Sequence, residues 1–414
     1  MSTPKLDPKL EENLHPVRLL ESDGPLSKPK PGMALCLSGG GYRAMLFHLG
    51  ALWRLNDLGL LKGLKKISSV SGGSITAGVL GLKWKQLIFD GSNVATNFEQ
   101  VVVAPIRAVA EVTIDAGSII YGILLPRHTV ADEVASAYRE HLFGDATLQD
   151  LPSDDEGPRF VINATNVQTR VLWRFSKPFM GDYRVGLVRN PTTDLAVAVT
   201  ASSAFPPFLS PVSLKLDPAD FDPTTKGDLQ IEPYTSDVVL TDGGVYDNLG
   251  LETAWKSYET ILVSDGGGGG SDEPKPKRDW LEHVYRVLNL IDNQVRSLRK
   301  RQVVASYQMN LRKGTYWGIR GNILDYQLPD AMNCPFAQTL VLANTATRLK
   351  KMDGLLQERL INWGYAISDA GLRRHLYPLE SAPIGVPSLP PVLPKPPIPP
   401  PPPTQFPYPD AGIG

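Results

Sequence analysis

The stretch that most constrains this chain is residues 35–44, which read Leu-Cys-Leu-Ser-Gly-Gly-Gly-Tyr-Arg-Ala. An apolar strand pattern runs into three glycines, Gly39, Gly40 and Gly41, and then directly into an apolar helix pattern over residues 42–58. Consecutive glycines let the backbone turn tightly and direct neighbouring N–H groups at one place, where the positive end of the helix dipole also falls. The pattern therefore predicts a site for an anion, or for an oxygen that becomes one during a reaction.

Two interpretations of this glycine loop stay open from the loop alone. A nucleotide-binding loop would show G-x-G-x-x-G, or a glycine followed by Lys and Ser or Thr, and neither pattern is present. An oxyanion hole would instead require a nucleophile elsewhere in the chain. The loop by itself fits either a phosphate-binding module or a catalytic site.

A candidate nucleophile lies in residues 67–78, which read Ile-Ser-Ser-Val-Ser-Gly-Gly-Ser-Ile-Thr-Ala-Gly. A brief strand pattern ends at Val70, a helix of small residues follows, and Ser71 falls on the turn between them. This is the sequence of a nucleophile elbow, except that Ser69 stands where the first glycine of G-x-S-x-G would be. The alternative interpretation is a serine that only caps the helix N-terminus.

Two aspartates are candidates for a general base, because each follows a strand pattern. Asp242 ends the strand pattern of residues 238–241, and Asp265 follows that of residues 260–263. Open α/β sheets place their sites at the carboxyl ends of strands, so both aspartates are expected near the site. A conventional triad would instead need a histidine, and the candidates are His48, His128, His141, His283 and His375.

Composition narrows the class of protein. The 42 Lys and Arg nearly balance the 43 Asp and Glu, so no nucleic-acid partner is expected. Two cysteines exclude a disulfide framework and make a zinc site unexpected. The first 20 residues carry no apolar signal segment, and no run of 18 apolar residues is present. We expect a cytoplasmic protein that has no spanning helix.

Three motifs in one order resemble the patatin-like phospholipase family, including its cytosolic phospholipase A2 branch. They are Ser-Gly-Gly-Gly-Tyr-Arg at 38–43, Ser-Val-Ser-Gly-Gly-Ser at 69–74 and Asp-Gly-Gly-Val-Tyr-Asp-Asn at 242–248. Residues 201–208, Ala-Ser-Ser-Ala-Phe-Pro-Pro-Phe, also resemble a family segment. The resemblance implies an α/β protein with three layers, α/β/α, around a central mostly parallel sheet.

The resemblance also implies how the site would work. Ser71 would be the nucleophile and Asp242 its base, without a catalytic histidine, and glycines 39–41 would form the oxyanion hole. Arg43 would bind the phosphate of a lipid substrate or steady the loop. No cofactor and no metal are implied, and the partner is a lipid or a membrane surface. Asp265 lacks the Val-Tyr-Asp-Asn continuation and is the less favoured base.

The expected domain organisation is an N-terminal arm at 1–31, the hydrolase domain at 32–378 and a Pro-rich tail at 379–414. The tail contains five consecutive prolines at 399–403, is expected to be disordered and extended, and would suit an SH3-like partner. The apolar residues 101–126 fit either a buried helix pair or a lipid-contacting surface. The competing functions are a phosphate-binding α/β module and a non-catalytic scaffold of the same fold, and acyl transfer would use the same acyl-enzyme.

Overall fold

The computed structural model describes residues 29–114, 129–207, 209–268, 274–276, 278–377 and 400–413. Its strands are β1 (Lys30–Leu37), β2 (Lys66–Ser69), β3 (Arg159–Asn166), β4 (Val171–Phe175), β5 (Phe179–Asp182), β6 (Gly186–Arg189), β7 (Val212–Lys215), β8 (Asp237–Asp242), β9 (Tyr258–Asp265) and β10 (Lys313–Gly318). Its α-helices are α1 (Gly41–Asp57), α2 (Gly72–Lys83), α3 (Ala104–Ala110), α4 (Val130–Tyr138), α5 (Leu195–Ser203), α6 (Gly244–Asp247), α7 (Leu251–Trp255), α8 (Trp280–Gln308), α9 (Phe336–Ala343) and α10 (Gly354–His375).

All the strands belong to one sheet, whose main path runs β10-β9-β1-β2-β3-β4-β5-β6. The five strands from β10 to β3 are parallel to one another, and β4, β5 and β6 continue the sheet as antiparallel strands. β8 pairs antiparallel with β3 and with β7. The expected α/β class with a central parallel sheet is confirmed, and the hairpins extend that sheet at one side.

Strand β1 shows how the sheet becomes the middle of three layers. Its alternate residues Leu35 and Leu37 join the large core beneath α1, α2 and α10. The residues between them, Ala34 and Cys36, join a smaller apolar cluster with α7 and α8 on the opposite face. Because side chains alternate along a strand, a central strand covered on both faces is apolar at every covered position, as β1 is from Met33 to Leu37.

The strand register places the candidate site residues at one level of the sheet. Leu37 pairs with Ser69, and Ser69 pairs with Ile162, in the parallel ladders of β1, β2 and β3. Two residues further along, the same level contains Gly39, Ser71 and Ala164, and Ala164 is paired with Asp242 of β8. The site therefore forms where β1 and β2 end and their chains turn into helices.

Asp242 and Asp265 are each the last residue of a strand, as expected. The two strands run in opposite directions, because β9 is parallel to β1 whereas β8 is antiparallel to β3. Asp242 pairs with Ala164 of β3, so the end of β8 lies at the level of the site.

Residues 400–413, which belong to the expected Pro-rich tail, pack against the domain. Asn362 of α10 donates its side-chain N–H groups to the backbone oxygens of Tyr408 and Gly412, each at 2.8 Å. The Tyr408 ring contacts Trp53 edge-on at 5.9 Å between centroids, and Ile413 is buried. Residues 400–413 therefore pack on the folded domain, and the rest of the expected tail lies outside the described residues.

The apolar region 101–126 is described only in part. A wide helical turn over Glu99–Val103 continues directly into α3. The apolar side chains of this segment pack in the core. Residues 115–126 lie outside the described part, so the lipid-contact hypothesis for them stays a hypothesis. No helix within the described residues is long and apolar enough to cross a membrane.

Candidate active site

Ser71 lies on the sharp turn between β2 and α2. Its backbone has φ of 50° and ψ of −121°, a conformation that non-glycine residues rarely adopt and that often marks a functional position. The turn needs the small residue that follows, since a Cβ on Gly72 would lie 2.1 Å from the backbone oxygen of Gly41. Gly72 therefore allows the Ser71 turn and the glycine loop to pack directly against each other.

A polar network beneath the turn fixes its backbone. The Ser71 N–H donates to Ser202 Oγ at 3.0 Å, and Ser202 Oγ donates to the backbone oxygen of Asn163 at 2.7 Å. Ser74 Oγ contacts Ser202 Oγ at 2.9 Å. These buried groups tie the turn to β3 and α5, which supports the strained conformation.

Asp242 is buried beside Ser71 and has an unusual pKa. Its pKa is raised to about 7, mainly by burial and also by the negative charge of Asp292, although hydrogen bonds from the Gly244 N–H and from the Ser71 side chain lower it. The Gly244 N–H lies 2.6 Å from Asp242 Oδ1. A carboxyl group with this pKa can accept a proton near neutral pH, as a general base must.

The glycine loop lines the same cavity, of about 110 Å³, as Ser71 and Asp242. The Gly39 N–H is already occupied, because it donates to Asn248 Oδ1 at 2.9 Å and to the Asn248 backbone oxygen at 3.1 Å. The N–H groups of Gly40 and Gly41 donate to no other described residue. Of the three glycines expected to bind an oxyanion, two therefore have N–H groups free to do so.

The structure contradicts the substrate-binding role expected for Arg43. Its side chain is buried, and its guanidinium donates to the backbone oxygens of Gly266, Gly268, Ala343 and Thr345 at 2.7–3.2 Å. Such an arginine has no donor left for a lipid phosphate. Arg43 instead steadies the loops around the cavity, which was the second of its two expected roles.

The groups around Asp265 keep its carboxylate ionised, which suits a structural role and not that of a general base. Burial would raise its pKa, but Arg296, Tyr316 and the Gly267 N–H together lower the pKa below its usual value. Arg296 lies 2.9 Å and the Tyr316 hydroxyl 2.6 Å from its carboxylate. A carboxylate held ionised by these partners is a poor proton acceptor, and it does not line the cavity that contains Ser71.

The histidines that the structure describes do not line this cavity either. His48 is buried, where its ring contacts Ser264 Oγ at 2.8 Å and the backbone oxygen of Ser38 at 2.9 Å. Burial lowers the pKa of His48 to about 4. His128 lies outside the described residues.

Two polar residues of the cavity were missed by the sequence argument. Asn248 joins the Gly39 N–H to Asp292, because its Nδ2 lies 3.2 Å from both carboxylate oxygens of Asp292. Asn248 ends the Asp-Gly-Gly motif and could have been noticed there. Asp292 comes from the middle of α8, where no local pattern distinguishes it from a solvent-facing acid.

The fold and the cavity define an α/β protein with a strand-turn-helix serine, a buried aspartate and a glycine loop at one sheet edge. A sequence model of the patatin-like phospholipases matches residues 35–255, more than half of the chain. The chain belongs to the patatin-like phospholipase family.

Comparison with solved structures gives distant likenesses. Human GIVD cytosolic phospholipase A2 is 14% identical, with a TM-score of 0.45, over 86% of this chain and 62% of that one. The structure of its complex with methyl gamma-linolenyl fluorophosphonate gives 17% identity and a TM-score of 0.46, over 87% of this chain and 60% of that one. VipD from Legionella pneumophila is 15% identical, with a TM-score of 0.34, over 87% of this chain and 72% of that one. This chain thus spans about three fifths of the length of the human enzyme. Comparison with curated protein sequences gave no match.

Proposed function

We propose that this protein hydrolyses carboxylic esters of lipids, of the phospholipase A or lysophospholipase type, through an acyl-enzyme on Ser71. The observation that supports the proposal is that Ser71, Asp242, Gly40 and Gly41 line one cavity. A serine hydroxyl is a weak nucleophile unless a neighbouring base takes its proton. Asp242, with a pKa raised to about 7 by burial, supplies that base without a histidine.

In the acylation step, Ser71 Oγ attacks the ester carbonyl carbon while its proton passes to the Asp242 carboxylate. The carbonyl oxygen becomes an oxyanion that the Gly40 and Gly41 N–H groups stabilise, and each such donor contributes on the order of 3 kcal/mol. When the tetrahedral intermediate collapses, the carbon–oxygen bond to the alcohol breaks. The alcohol leaves with the proton from Asp242, and the acyl group stays on Ser71.

In the deacylation step, water attacks the acyl carbonyl carbon and Asp242 accepts the proton of the water. The same two N–H groups stabilise the second oxyanion. Its collapse returns the proton to Ser71 Oγ and releases the fatty acid. If another alcohol replaced water at this step, the product would be a new ester, so the two activities share every residue of the site.

The function is tested by turnover of p-nitrophenyl acyl esters by Ser71→Ala and Asp242→Asn. Each substitution should reduce kcat by at least about a thousandfold, because the nucleophile or its base is lost. Asp265→Asn is the matched control, since Asp265 is also a buried aspartate at the end of a strand. Measured per folded molecule, that variant should retain turnover within about tenfold of the wild type.

Near-native turnover by Ser71→Ala would exclude the acyl-enzyme and favour a phosphate-binding module or a scaffold. Equal losses in Asp265→Asn and Asp242→Asn, with both variants folded, would contradict the assignment of Asp242 as the base. For the natural ester, products formed from a total lipid extract should be compared between wild type and Ser71→Ala by mass spectrometry. Released fatty acid and lysolipid that depend on Ser71 identify the bond cleaved.

A further inference from the structure

Helix α8 exposes an apolar face to solvent. Trp280, Val284, Val287 and Ile291, here called the outer stripe, follow one another at spacings of four, three and four residues. At 3.6 residues per turn, these spacings place all four on one face of the helix. Their exposed fractions run from 40% at Val287 to 72% at Trp280, so no described residue covers the outer stripe. Leu290 and Leu288 lie at its two sides and are exposed as well.

The opposite face of α8 forms one wall of the catalytic cavity. Tyr285, Asn289 and Asp292 line the cavity together with Ser71. One turn beyond Asp292, Arg296 pairs with the buried Asp265 at 2.9 Å. The N-terminal half of α8 is thus amphipathic in the reverse of the usual sense: its polar face points into the protein and its apolar face points outward. A single helix thickness separates the outer stripe from the site of chemistry.

Positive charges flank the outer stripe. Lys275 and Arg278 precede the helix and are exposed, and Arg301 is exposed beyond the far end of the stripe. The acids at the N-terminal end are Asp279, which accepts the N–H of Glu282 as the helix cap, and Glu282 itself, which lies on the helix face opposite the stripe. An exposed apolar face with basic residues at both ends matches a surface of anionic lipid, which offers hydrocarbon and negative charge together.

The size of the outer stripe argues against a second copy of the chain as the occupant. The stripe spans 12 residues, 280–291, which is roughly 16 Å along the helix axis. A strip of this length and one helix face wide offers a few hundred Å², below the about 800 Å² per partner of a stable dimer.

The cavity of about 110 Å³ is also small compared with the roughly 300–1,000 Å³ that encloses a drug-sized ligand. A lipid would therefore keep most of its acyl chains outside the cavity, in the bilayer.

We propose that the outer stripe of α8 lies on an anionic lipid bilayer and holds the mouth of the catalytic cavity against the membrane surface. The inference rests on the proposed lipid substrate and adds to it the surface through which that substrate is reached. Trp280 and Ile291 would enter the boundary between head groups and acyl chains. Asp292, on the other side of the same helix, stays within the cavity.

Binding to vesicles tests the proposal without any need for catalysis. The experiment uses the full chain carrying Ser71→Ala, so that the vesicles stay intact, and measures sedimentation with phosphatidylcholine vesicles containing 30% phosphatidylglycerol. Adding Val284→Glu/Ile291→Glu should weaken binding at least tenfold. The matched control is Ile88→Glu/Ile231→Glu, which adds the same charges at apolar residues that are 64% and 56% exposed elsewhere on the surface. That control should bind as the parent does.

Fluorescence gives a second, local measurement. On binding to the same vesicles, the emission of the parent protein should shift to shorter wavelength, and Trp280→Phe should remove most of the shift. Vesicles of phosphatidylcholine alone should bind at least tenfold more weakly, because the flanking basic residues then have no counter-charge.

With Ser71 present, Val284→Glu/Ile291→Glu should hydrolyse soluble p-nitrophenyl butyrate at the wild-type rate and vesicle lipid at least tenfold more slowly. Equal losses on both substrates would overturn the proposal, as would undiminished vesicle binding by that variant or no vesicle binding by the parent protein. A dimer in solution that Val284→Glu/Ile291→Glu dissociates would also overturn it, since the outer stripe would then bind a second copy. Failure of the proposed function has a different signature, because soluble-ester turnover would then be independent of Ser71.

Discussion

The N–H of Gly39 donates to Asn248 twice, to the side-chain oxygen at 2.9 Å and to the backbone oxygen at 3.1 Å. This pair joins the glycine loop after β1 to the turn after β8, which are 209 residues apart in the sequence. The next two residues, Gly40 and Gly41, line the cavity together with Ser71 and Asp242. The proposed oxyanion donors therefore adjoin a glycine that is held by a side chain from the motif containing the proposed base.

Asn248→Ala should reduce kcat for soluble esters by roughly 10- to 100-fold, with little change in KM, because the oxyanion donors lose their alignment. The measurement is steady-state kinetics on p-nitrophenyl butyrate. Asn322→Ala is the control, since Asn322 is an asparagine that caps a surface turn by accepting the Leu324 N–H. A variant of Asn248 with native kcat would show that the Gly39 contact does not align the donors.

The pH dependence of kcat/KM should have an ascending limb near pH 7. The base works only when ionised, and burial raises the pKa of Asp242 to about 7, so activity rises with pH through that value. Asp292→Asn removes a negative charge that raises this pKa, and the limb should therefore move to lower pH by on the order of half a unit. A shift to higher pH, or no shift in a folded variant, would contradict the coupling of the two carboxyl groups.

Asp242→Asn should make the protein more stable at pH 8 than the wild type. A raised pKa means that the folded state holds the Asp242 proton more tightly than the unfolded chain does. The resulting stability is complete below about pH 4 and is lost as pH rises through about 7, where the wild type must bury a charge. The amount by which the Tm of Asp242→Asn exceeds that of the wild type, measured from pH 4 to pH 8, should therefore grow with pH. A difference independent of pH would show that Asp242 titrates normally.

Arg43→Ala should destabilise the fold by about 3–5 kcal/mol, since it leaves several buried backbone oxygens without donors. Urea unfolding followed by circular dichroism measures the loss. Arg301→Ala, which changes an exposed arginine, should lie within about 0.5 kcal/mol of the wild type. If Arg43→Ala were stable and instead raised KM only for phosphate-containing lipids, the original substrate-binding expectation would be restored.

Removing residues 404–414 should lower stability by roughly 2–4 kcal/mol, because Asn362 loses three hydrogen bonds and the Trp53 surface becomes exposed. Thermal unfolding of the truncated chain checks this. Soluble-ester turnover at 25 °C should persist, since the segment does not line the catalytic cavity. An unchanged Tm would mean that the segment does not dock in solution.

The sequence was sufficient to predict the family, the α/β class and the three motifs that the fold brings to one cavity. These features are local: a strand, a turn of small residues and a helix leave a readable pattern around Gly40 and Ser71. Long-range features could not be predicted. The antiparallel direction of β8 depends on its pairing with β3, which joins Ala164 and Asp242. Nothing near Asp292 in the sequence indicates that α8 lines the cavity.

Arg43 and the chain end illustrate a second limit. An arginine one residue into a helix after a glycine loop has the same sequence pattern whether it binds a phosphate or backbone oxygens. Only the packing of residues 266–268 and 343–345 around its guanidinium decides between these roles. Likewise, a Pro-rich composition argues against a core of its own, but does not exclude docking on Asn362 of another element.

The acyl-enzyme is tested most directly by covalent labelling with an alkyl fluorophosphonate, which reacts with activated serine hydroxyls. Intact mass and peptide mapping should show one adduct, on Ser71, and none in Ser71→Ala. Labelling of Asp242→Asn should be at least a hundredfold slower, since the hydroxyl then lacks its base. An adduct on a different residue, or wild-type protein that turns over esters yet stays unlabelled at Ser71, would contradict the account.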